Sequence, residues 1–369
     1  MHSYEEDNKR SEDLASTSGI DLRLYSEARK IVEKSFSIED TWVEESRFVF
    51  NVKALDSKSA FLKIKEELID LGFLPFLRLR DKKLTLIAIP KPSIKRGRWV
   101  WNLMLLLMTI GTTTFVGYQM SMPLVEANLM ESPWHGAIAF SIAIISILGC
   151  HELGHKFMAN RKGVEASLPY FIPVPFFVGT MGAVIETKTP APNRDALFDL
   201  GASGPISGLL VLIPTTLLGL YFSYPILPEA IPPGSTVLPV PLLFVALSFL
   251  LGPKIHEGHI LFHPVAFASW VGMLVTMLNL MPVGMLDGGH VARAIFGERN
   301  HRIVSFLASM ITLALGWWLM AVLMFYLSFA HHPGPLDDVS PLERNRKFLS
   351  IFIFIILVLC AIPGWRLGF

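Results

Sequence analysis

The charged residues of this sequence are distributed so unevenly that most of the chain can only be dissolved in lipid. Residues 1–98 hold 36 of the 63 Lys, Arg, Asp and Glu residues, and the other 271 residues hold 27. The mean hydropathy is +0.48 and 52% of all residues are apolar. Because the net charge is only +1, the chain also has no basic surface for phosphates. These values exclude a soluble globular protein, a disordered chain and a nucleic-acid-binding protein.

Six apolar stretches are each long enough to cross the ~30 Å of hydrocarbon in a bilayer as a helix. They cover residues 99–120, 134–157, 200–222, 264–281, 303–329 and 348–366. Two more stretches do not fit this description: 168–198 is interrupted by Pro and Gly, and 238–252 is too short to cross easily. We therefore predict a polytopic α-helical membrane protein with about six spans and re-entrant segments.

The charged N-terminal part predicts a small soluble unit ahead of the membrane part. Residues 1–38 are typical of a disordered tail with a weakly helical section. Residues 39–92 predict a small α+β domain with the order βαββ, in which Asp56 begins the helix and Gly72 ends it. No catalytic pattern lies in this unit. We expect a structural role for it, with binding of a regulatory partner as the alternative.

The positive-inside rule predicts the orientation of the chain. The Lys and Arg residues before residue 99 place the N-terminal domain in the cytoplasm, followed by a membrane core over 99–300 and two additional spans over 301–369. Counting spans in this way puts Arg344, Arg346 and Lys347 outside, which disagrees with the rule.

The first residues are polar and acidic, unlike a secretory signal or a transit peptide. We therefore expect an integral protein of a prokaryotic plasma membrane, archaeal rather than plastid. Cys150 and Cys360 both lie in apolar stretches and indicate no disulfide framework.

The second apolar stretch ends in the sequence HELGH, residues 151–155. The i, i+4 spacing puts His151 and His155 on one face of a helix, where both can bind one metal ion. Glu152 cannot point at the metal in the same way, but it can reach a metal-bound water and act as a general base. Ionisable groups inside a membrane span cost several kcal/mol, so a function is the favoured reason for them.

A catalytic zinc site needs a third protein ligand. Asp287 is the strongest candidate, since it follows an apolar span in a stretch rich in Gly and Pro. An ordinary helix-capping role is an equal alternative for this residue alone. Asn279, eight residues earlier, could donate a hydrogen bond to an oxyanion. His290, three residues after Asp287, could support a metal ligand by hydrogen bonding, although an incidental position is the favoured interpretation.

Three other patterns give weaker alternatives. Ser203 lies in a G-x-S-G pattern like that of intramembrane serine proteases, but close helix packing explains the small residues more simply. His256, His259 and His263 could bind an accessory metal ion, although an exposed loop is the favoured interpretation. Without a catalytic role for Glu152, the metal motif would instead suit a membrane metal transporter or a non-catalytic scaffold.

The order of these motifs resembles the site-2 protease family of intramembrane zinc metalloproteases, in particular its archaeal and chloroplast branch. HELGH, the Gly179–Gly182 segment, the small-residue motif from Gly201 to Pro205 and the sequence NLMPVGMLDGG at 279–289 carry the resemblance. It covers the chain from about residue 134 to 300. Leu286 and the stretch 283–285 depart mildly from the commonest form of the last motif.

The resemblance implies a zinc-dependent intramembrane endopeptidase that binds one Zn²⁺ ion and cleaves a membrane-spanning or membrane-proximal peptide. The implied zinc ligands are His151, His155 and Asp287, and the implied catalytic residues are Glu152 and Asn279. It further implies that 170–190 forms a β-hairpin in the membrane, where Gly179 and Gly182 belong to the substrate-binding segment. The implied partners are a transmembrane protein substrate and the lipid bilayer.

Overall fold

The computed structural model of the protein describes residues 22–44, 47–92, 98–226, 238–251, 259–329 and 332–364. The chain divides into two compact units. The first comprises residues 1–95 together with 190–197 and 333–343, and the second comprises 96–189, 198–332 and 344–369. Of the tail expected over residues 1–38, residues 1–21 lie outside the described residues, whereas 22–38 contain a helix and the start of a strand.

The first unit is built on a four-stranded antiparallel sheet with two helices. Its elements are α1 (Leu22–Glu33), β1 (Ser37–Glu44), β2 (Arg47–Lys53), α2 (Ser57–Asp70), β3 (Phe73–Arg80) and β4 (Lys83–Pro90). The strand order is β1-β2-β4-β3. The βαββ order predicted for 39–92 is present, and the structure adds α1 and β1 to it. Asp56 caps α2 by accepting from the N–H groups of Lys58 and Ser59.

One apolar core joins the helices and the sheet of this unit. Phe48 and Phe50 of β2, Phe61 of α2 and Tyr25 of α1 are almost completely buried in it. The apolar periodicity of α2 predicts which of its residues are buried. The weaker apolar periodicity of α1 does not indicate that this helix also covers the sheet.

The open edge of the sheet at β3 is covered by a distant segment of the chain. The N–H of Leu77 donates to Leu336 O at 2.8 Å, and the N–H of Asp338 donates to Leu77 O at 3.2 Å. Leu336 is buried in the core beneath. The N–H of Leu336 in turn donates to Ala191 O at 2.8 Å, so two loops extend the sheet beyond β3.

An ion cluster reinforces the same arrangement within the first unit. Lys58 Nζ lies 2.6 Å from Asp195 Oδ2 and 2.8 Å from Glu343 Oε1. The N–H of Glu343 also donates to Asp195 Oδ1 at 2.9 Å. Burial lowers the pKa of Lys58, but the two carboxylates outweigh this effect, and the pKa lies above its ordinary value.

The second unit is mostly helical and contains two short pairs of antiparallel strands. Its helices are α3 (Trp99–Glu126), α4 (Pro133–Arg161), α5 (Arg194–Tyr221, which begins in the first unit), α6 (Leu242–Ser248), α7 (Pro264–Leu280), α8 (Asp287–Ala314), α9 (Trp318–Ser328) and α10 (Arg344–Ala361). The strands β5 (Tyr170–Pro173) and β6 (Thr180–Val184) form one antiparallel pair, and β7 (Tyr224–Ile226) and β8 (His259–Leu261) form another.

Three helices of the described residues, α3, α4 and α5, are long and apolar enough to cross a membrane. The other three predicted spans are not helices of this kind. The helix α7 has 17 residues and ends shortly before Pro282. The stretch 303–329 is not one helix, because it is divided between α8 and α9 at Gly316, whose φ is +89°. The helix α10 begins with three basic residues within its 18.

The helix α8 is kinked at Gly297, whose φ is +76°. The part of α8 after this kink leads the chain out and α9 leads it back, since the rings of His301 and His332 are 5.6 Å apart. His290 lies in the first turn of α8, and its Nδ1 is 2.7 Å from Nε2 of His332, which follows α9. The two ends of this helical pair therefore lie side by side. Counting 303–329 as one complete crossing was wrong for this reason.

The orientation predicted for Arg344–Lys347 was also wrong. Asp199, near the start of α5, lies 2.6 Å from Nζ of Lys162 at the end of α4 and 2.7 Å from Nη2 of Arg346 at the start of α10. The basic residues in the first turn of α10 therefore lie at the same end of the helices as Lys162. This placement removes the conflict with the positive-inside rule.

Replacing Phe61 with Ala is expected to destabilise the first unit. The side chain is completely buried, and its truncation should cost about 3–5 kcal/mol. Hydrogen exchange of the full chain in detergent should show loss of protection in β2 and β4. Leu62→Ala, at the neighbouring exposed position, is the control and should leave protection nearly unchanged. Equal loss in both variants would contradict this account of the core.

Candidate metal centre

The helix α4 presents the HELGH residues to the inside of the second unit. Ser132 caps the helix, and Pro133 is its first residue. His151, Glu152 and His155 are all more than nine-tenths buried, which is uncommon for ionisable side chains. The i, i+4 spacing places both imidazoles on one face, as predicted, and their rings are 4.9 Å apart.

Asp287 reaches the two histidines from the start of α8. Its Oδ2 lies 3.0 Å from His151 Nε2, and its Oδ1 lies 3.2 Å from His155 Nε2. A tight loop after α7 positions it, because a Cβ at Gly288 would overlap the carbonyl of Leu280. The helix-capping alternative does not apply, since the cap position is Leu286.

The three side chains fit a metal ion. Their ligand atoms all lie within 4.8 Å of one another, and among the described residues they are the one group of His, Cys, Asp and Glu found in such an arrangement. The two Nε2 atoms are 3.2 Å apart. Ligand atoms about 2.0–2.1 Å from a tetrahedral zinc ion lie about 3.3 Å from one another, so the two imidazole nitrogens already have the separation that zinc requires, and a carboxylate oxygen of Asp287 lies close to each of them.

A hydrogen bond fixes the tautomer of His155. Its Nδ1–H donates to the carbonyl oxygen of Leu200 at 2.8 Å, which leaves Nε2 as the ring nitrogen that faces His151 and Asp287. Metal-binding histidines commonly have a partner of this kind. The hydroxyl of Ser203 donates to the same carbonyl at 2.9 Å. Ser203 therefore belongs to the packing of α5, which is the interpretation favoured over a nucleophile.

The glycines of α5 form a face that lies directly against the metal-binding residues. A Cβ at Gly204 would overlap His155 Nε2, and one at Gly208 would come within 3.3 Å of His151 Cβ. A Cβ at Gly201 would meet the backbone oxygen of Asp287 at 2.5 Å. The small-residue motif predicted close helix packing, but it did not indicate that these glycines pack against the metal-binding residues themselves. The spacing 201, 204, 208, which follows one helical face, is the signal that could have shown it.

Glu152 and Asn279 border the same space. Glu152 Oε1 lies 4.0 Å from His151 Nε2, beyond the distances of the three candidate ligands. Asn279, on α7, has its Nδ2 3.2 Å from His151 Nε2. Both side chains therefore face the region where a metal ion and a reacting group would lie, and their catalytic roles stay predictions.

Gly179 and Gly182 lie apart from this cluster, in the hairpin of β5 and β6. Both have positive φ values, +80° and +103°. The hairpin approaches the site after β6, where the backbone N–H of Ile185 faces the Glu152 carboxylate. Contact of the two glycines with a substrate stays a prediction.

Among the described residues, the other histidines lie outside the metal centre. His290 pairs with His332, a contact that the sequence did not indicate. His263 caps α7 through its Nδ1, which accepts from Val265 N–H, so its role is structural. His256 and the side chain of His259 lie outside the described part of the chain.

Replacing Gly204 with Ala is expected to remove the metal. The added methyl group occupies the space of His155 Nε2, so the imidazole must turn away from His151 and Asp287. Metal content per purified chain, measured by plasma mass spectrometry, should fall well below that of the unchanged protein. Gly111→Ala on α3, where a Cβ meets no atom within 4 Å, should keep its metal. Full metal content in Gly204→Ala would contradict this packing.

Comparison with known proteins gives consistent matches. The protein is 28% identical over 303 residues to "Probable zinc metalloprotease EGY1, chloroplastic" of Arabidopsis thaliana, covering 73% of this chain and 54% of that protein. It is 25% identical over 292 residues to "Probable zinc metalloprotease EGY2, chloroplastic" of Oryza sativa subsp. indica, covering 75% of this chain and 52% of that one. It is 30% identical over 248 residues to "Probable zinc metallopeptidase EGY3, chloroplastic" of Arabidopsis thaliana, covering 60% and 42%.

The chain thus spans about half the length of the curated relatives it matches. These relatives are named as chloroplast proteins of plants, and they do not support the archaeal source expected from the sequence. No solved structure matches the chain. The sequence model of peptidase family M50 matches residues 139–323, which is half of the chain and contains every residue from His151 to Asp287. The protein therefore belongs to peptidase family M50.

Proposed function

We propose that this protein is a zinc-dependent endopeptidase that cleaves a peptide within or close to the membrane. The observation that carries the proposal is the convergence of His151, His155 and Asp287, whose imidazole nitrogens lie 3.2 Å apart with a carboxylate oxygen within 3.2 Å of each, and with a glutamate beside them. The family assignment and the names of the relatives support zinc and peptide hydrolysis.

The ligand set suits a catalytic site. It has two imidazole nitrogens and one carboxylate from the protein, which leaves a fourth position for water or substrate. When bound, zinc supplies a Lewis acid that lowers the pKa of water towards neutrality and polarises a carbonyl group. The Leu200 carbonyl holds the His155 imidazole in the tautomer that can bind the ion.

Glu152 is the proposed acid–base group. Its carboxylate is buried beside His151 and is not one of the three ligands, so an oxygen is available to accept the proton of the attacking water. The same oxygen then carries this proton to the amine that leaves. The Nδ2 of Asn279 is placed to donate a hydrogen bond to the carbonyl oxygen of the substrate as negative charge develops there.

The proposed substrate is a segment of another membrane protein. Both histidines and Glu152 lie buried on α4, the histidines against α5, and these two helices are suited to crossing a membrane. A helical substrate hides its backbone, so it must unwind locally before attack. The hairpin next to Glu152 offers strand backbone with which an unwound segment can pair.

Glu152→Gln is expected to keep its zinc and lose cleavage. The variant retains all three ligands but cannot accept a proton, and general acid–base catalysis contributes about 10²–10⁴-fold. Zinc content and cleavage of a single-span test protein in detergent or liposomes should be measured together. Glu126→Gln, at an exposed position near the end of α3, is the control and should cleave normally. A Glu152→Gln protein that cleaves at the wild-type rate would overturn the mechanism.

Asp287→Asn tests the metal instead of the base. The amide has one weak acceptor and no charge, so zinc content and cleavage should fall together. Added Zn²⁺ should restore both only in part. The transporter alternative replaces the peptidase if the unchanged protein binds zinc and carries it into liposomes but cleaves no test protein.

A further inference from the structure

The hairpin of β5 and β6 is held at its entrance by one polar side chain of α3. Asn102 lies in the first turn of that helix and is 8% exposed. Its Nδ2 donates to the carbonyl oxygens of Leu168 at 2.9 Å and Pro169 at 3.0 Å. An amide nitrogen carries two N–H donors, so both are used on the two residues that lead into β5.

A second contact holds the turn of the hairpin to the same helix. The hydroxyl of Thr112 lies 2.7 Å from the carbonyl oxygen of Gly179. A Cβ at Gly179 would lie 2.5 Å from Thr113 Cα, so the absence of a side chain lets the turn lie against the backbone of α3. The ten residues from Asn102 to Thr112 span about 15 Å of helix. The hairpin is therefore fixed along α3 at two separate heights.

The other side of the hairpin leads to the proposed catalytic residues. Phe171 of β5 is buried against α4, where a Cβ at Gly149 would be 3.6 Å from its ring. Beyond β6 the N–H of Ile185 faces the Glu152 carboxylate. The position of the hairpin along the axis of α3 therefore determines which backbone groups of the hairpin lie beside Glu152.

We propose that Asn102 is a positioning residue that sets the register between a bound substrate strand and the metal centre. The inference rests on the proposed function. Strands pair in discrete steps, and a shift of one residue moves the backbone by about 3.3 Å. If the hairpin is free to slide on α3, the substrate strand paired with it slides too, and a different peptide bond reaches the site. Asn102 thus determines where the substrate is cut without touching it.

The apolar variant Asn102→Leu tests this role. It has nearly the same size but donates to neither carbonyl. The control is Thr109→Val on the same helix, because the buried hydroxyl of Thr109 bonds only to Leu105 O within α3. The substrate is a single-span test protein with about 20 apolar residues and one Asn-Gly pair near the middle. The cut bonds are identified by mass spectrometry, and KM, kcat and zinc content are measured for each variant.

Asn102→Leu should keep its zinc, cut at neighbouring bonds as well as at the wild-type bond, and raise KM about tenfold, because the loss of two hydrogen bonds lowers the fraction of molecules with a correctly placed hairpin by about that factor. Thr109→Val should cut at the wild-type bond alone. A purely structural role would lower the yield of folded protein but leave the position of the cut unchanged. Cleavage by Asn102→Leu at a single, unshifted bond with wild-type KM overturns the inference.

Two further arms separate other outcomes. If Asn102→Leu does not fold, Thr112→Val, which loses the contact at the turn, takes its place with the same expected change in the cut position. If the unchanged protein binds zinc but cuts nothing, the proposed function fails, and this inference fails with it for that reason. Cleavage by the wild type with no effect of either variant overturns the positioning role alone.

Discussion

The close approach of α5 to α4 is the constraint on which the rest of the membrane unit depends. Gly204 leaves the space that His155 occupies, and Gly154 of α4 makes room in return for Ser207. Only helices without side chains at these points can bring the Leu200 carbonyl to within 2.8 Å of the His155 ring. The buried imidazoles therefore depend for their orientation on residues that carry no chemistry themselves.

Burying three ionisable side chains in an apolar region is costly unless each has a partner. The structure meets this requirement by making them partners of one another. Asp287 lies between the two imidazoles, and Asn279 adds a donor at His151. A cation with a charge of +2 would satisfy the same lone pairs more completely, which is the physical reason to expect one there.

Local spacing made part of this arrangement predictable. The i, i+4 spacing of His151 and His155 determines their common face, and the turn residues around Asp56 and Gly72 determine the limits of α2. Asp287 could be named because few other carboxylates lie near an apolar span. In each case, the relevant geometry extends over a few residues of one element.

The parts that were missed depend on contacts between distant segments. A count of apolar residues cannot show that Gly316 divides one long stretch into α8 and α9, because the stretch remains apolar on both sides. It also cannot show that β1 pairs with β2 or that Asn102 binds the hairpin carbonyls. Such features depend on tertiary contacts. At Gly316, a single residue between two apolar runs changes the direction of the chain.

The contact between Arg346 and Asp199 has a consequence for the boundaries of the family domain. The family match ends at residue 323, whereas Arg346 lies on the last helix. Its guanidinium binds both carboxylate oxygens of Asp199, the residue immediately before Leu200. Since the Leu200 carbonyl orients His155, a segment outside the recognised domain supports the backbone on which the metal centre relies. A boundary drawn from sequence similarity is thus shorter than the smallest piece of this chain that can be expected to work as a unit.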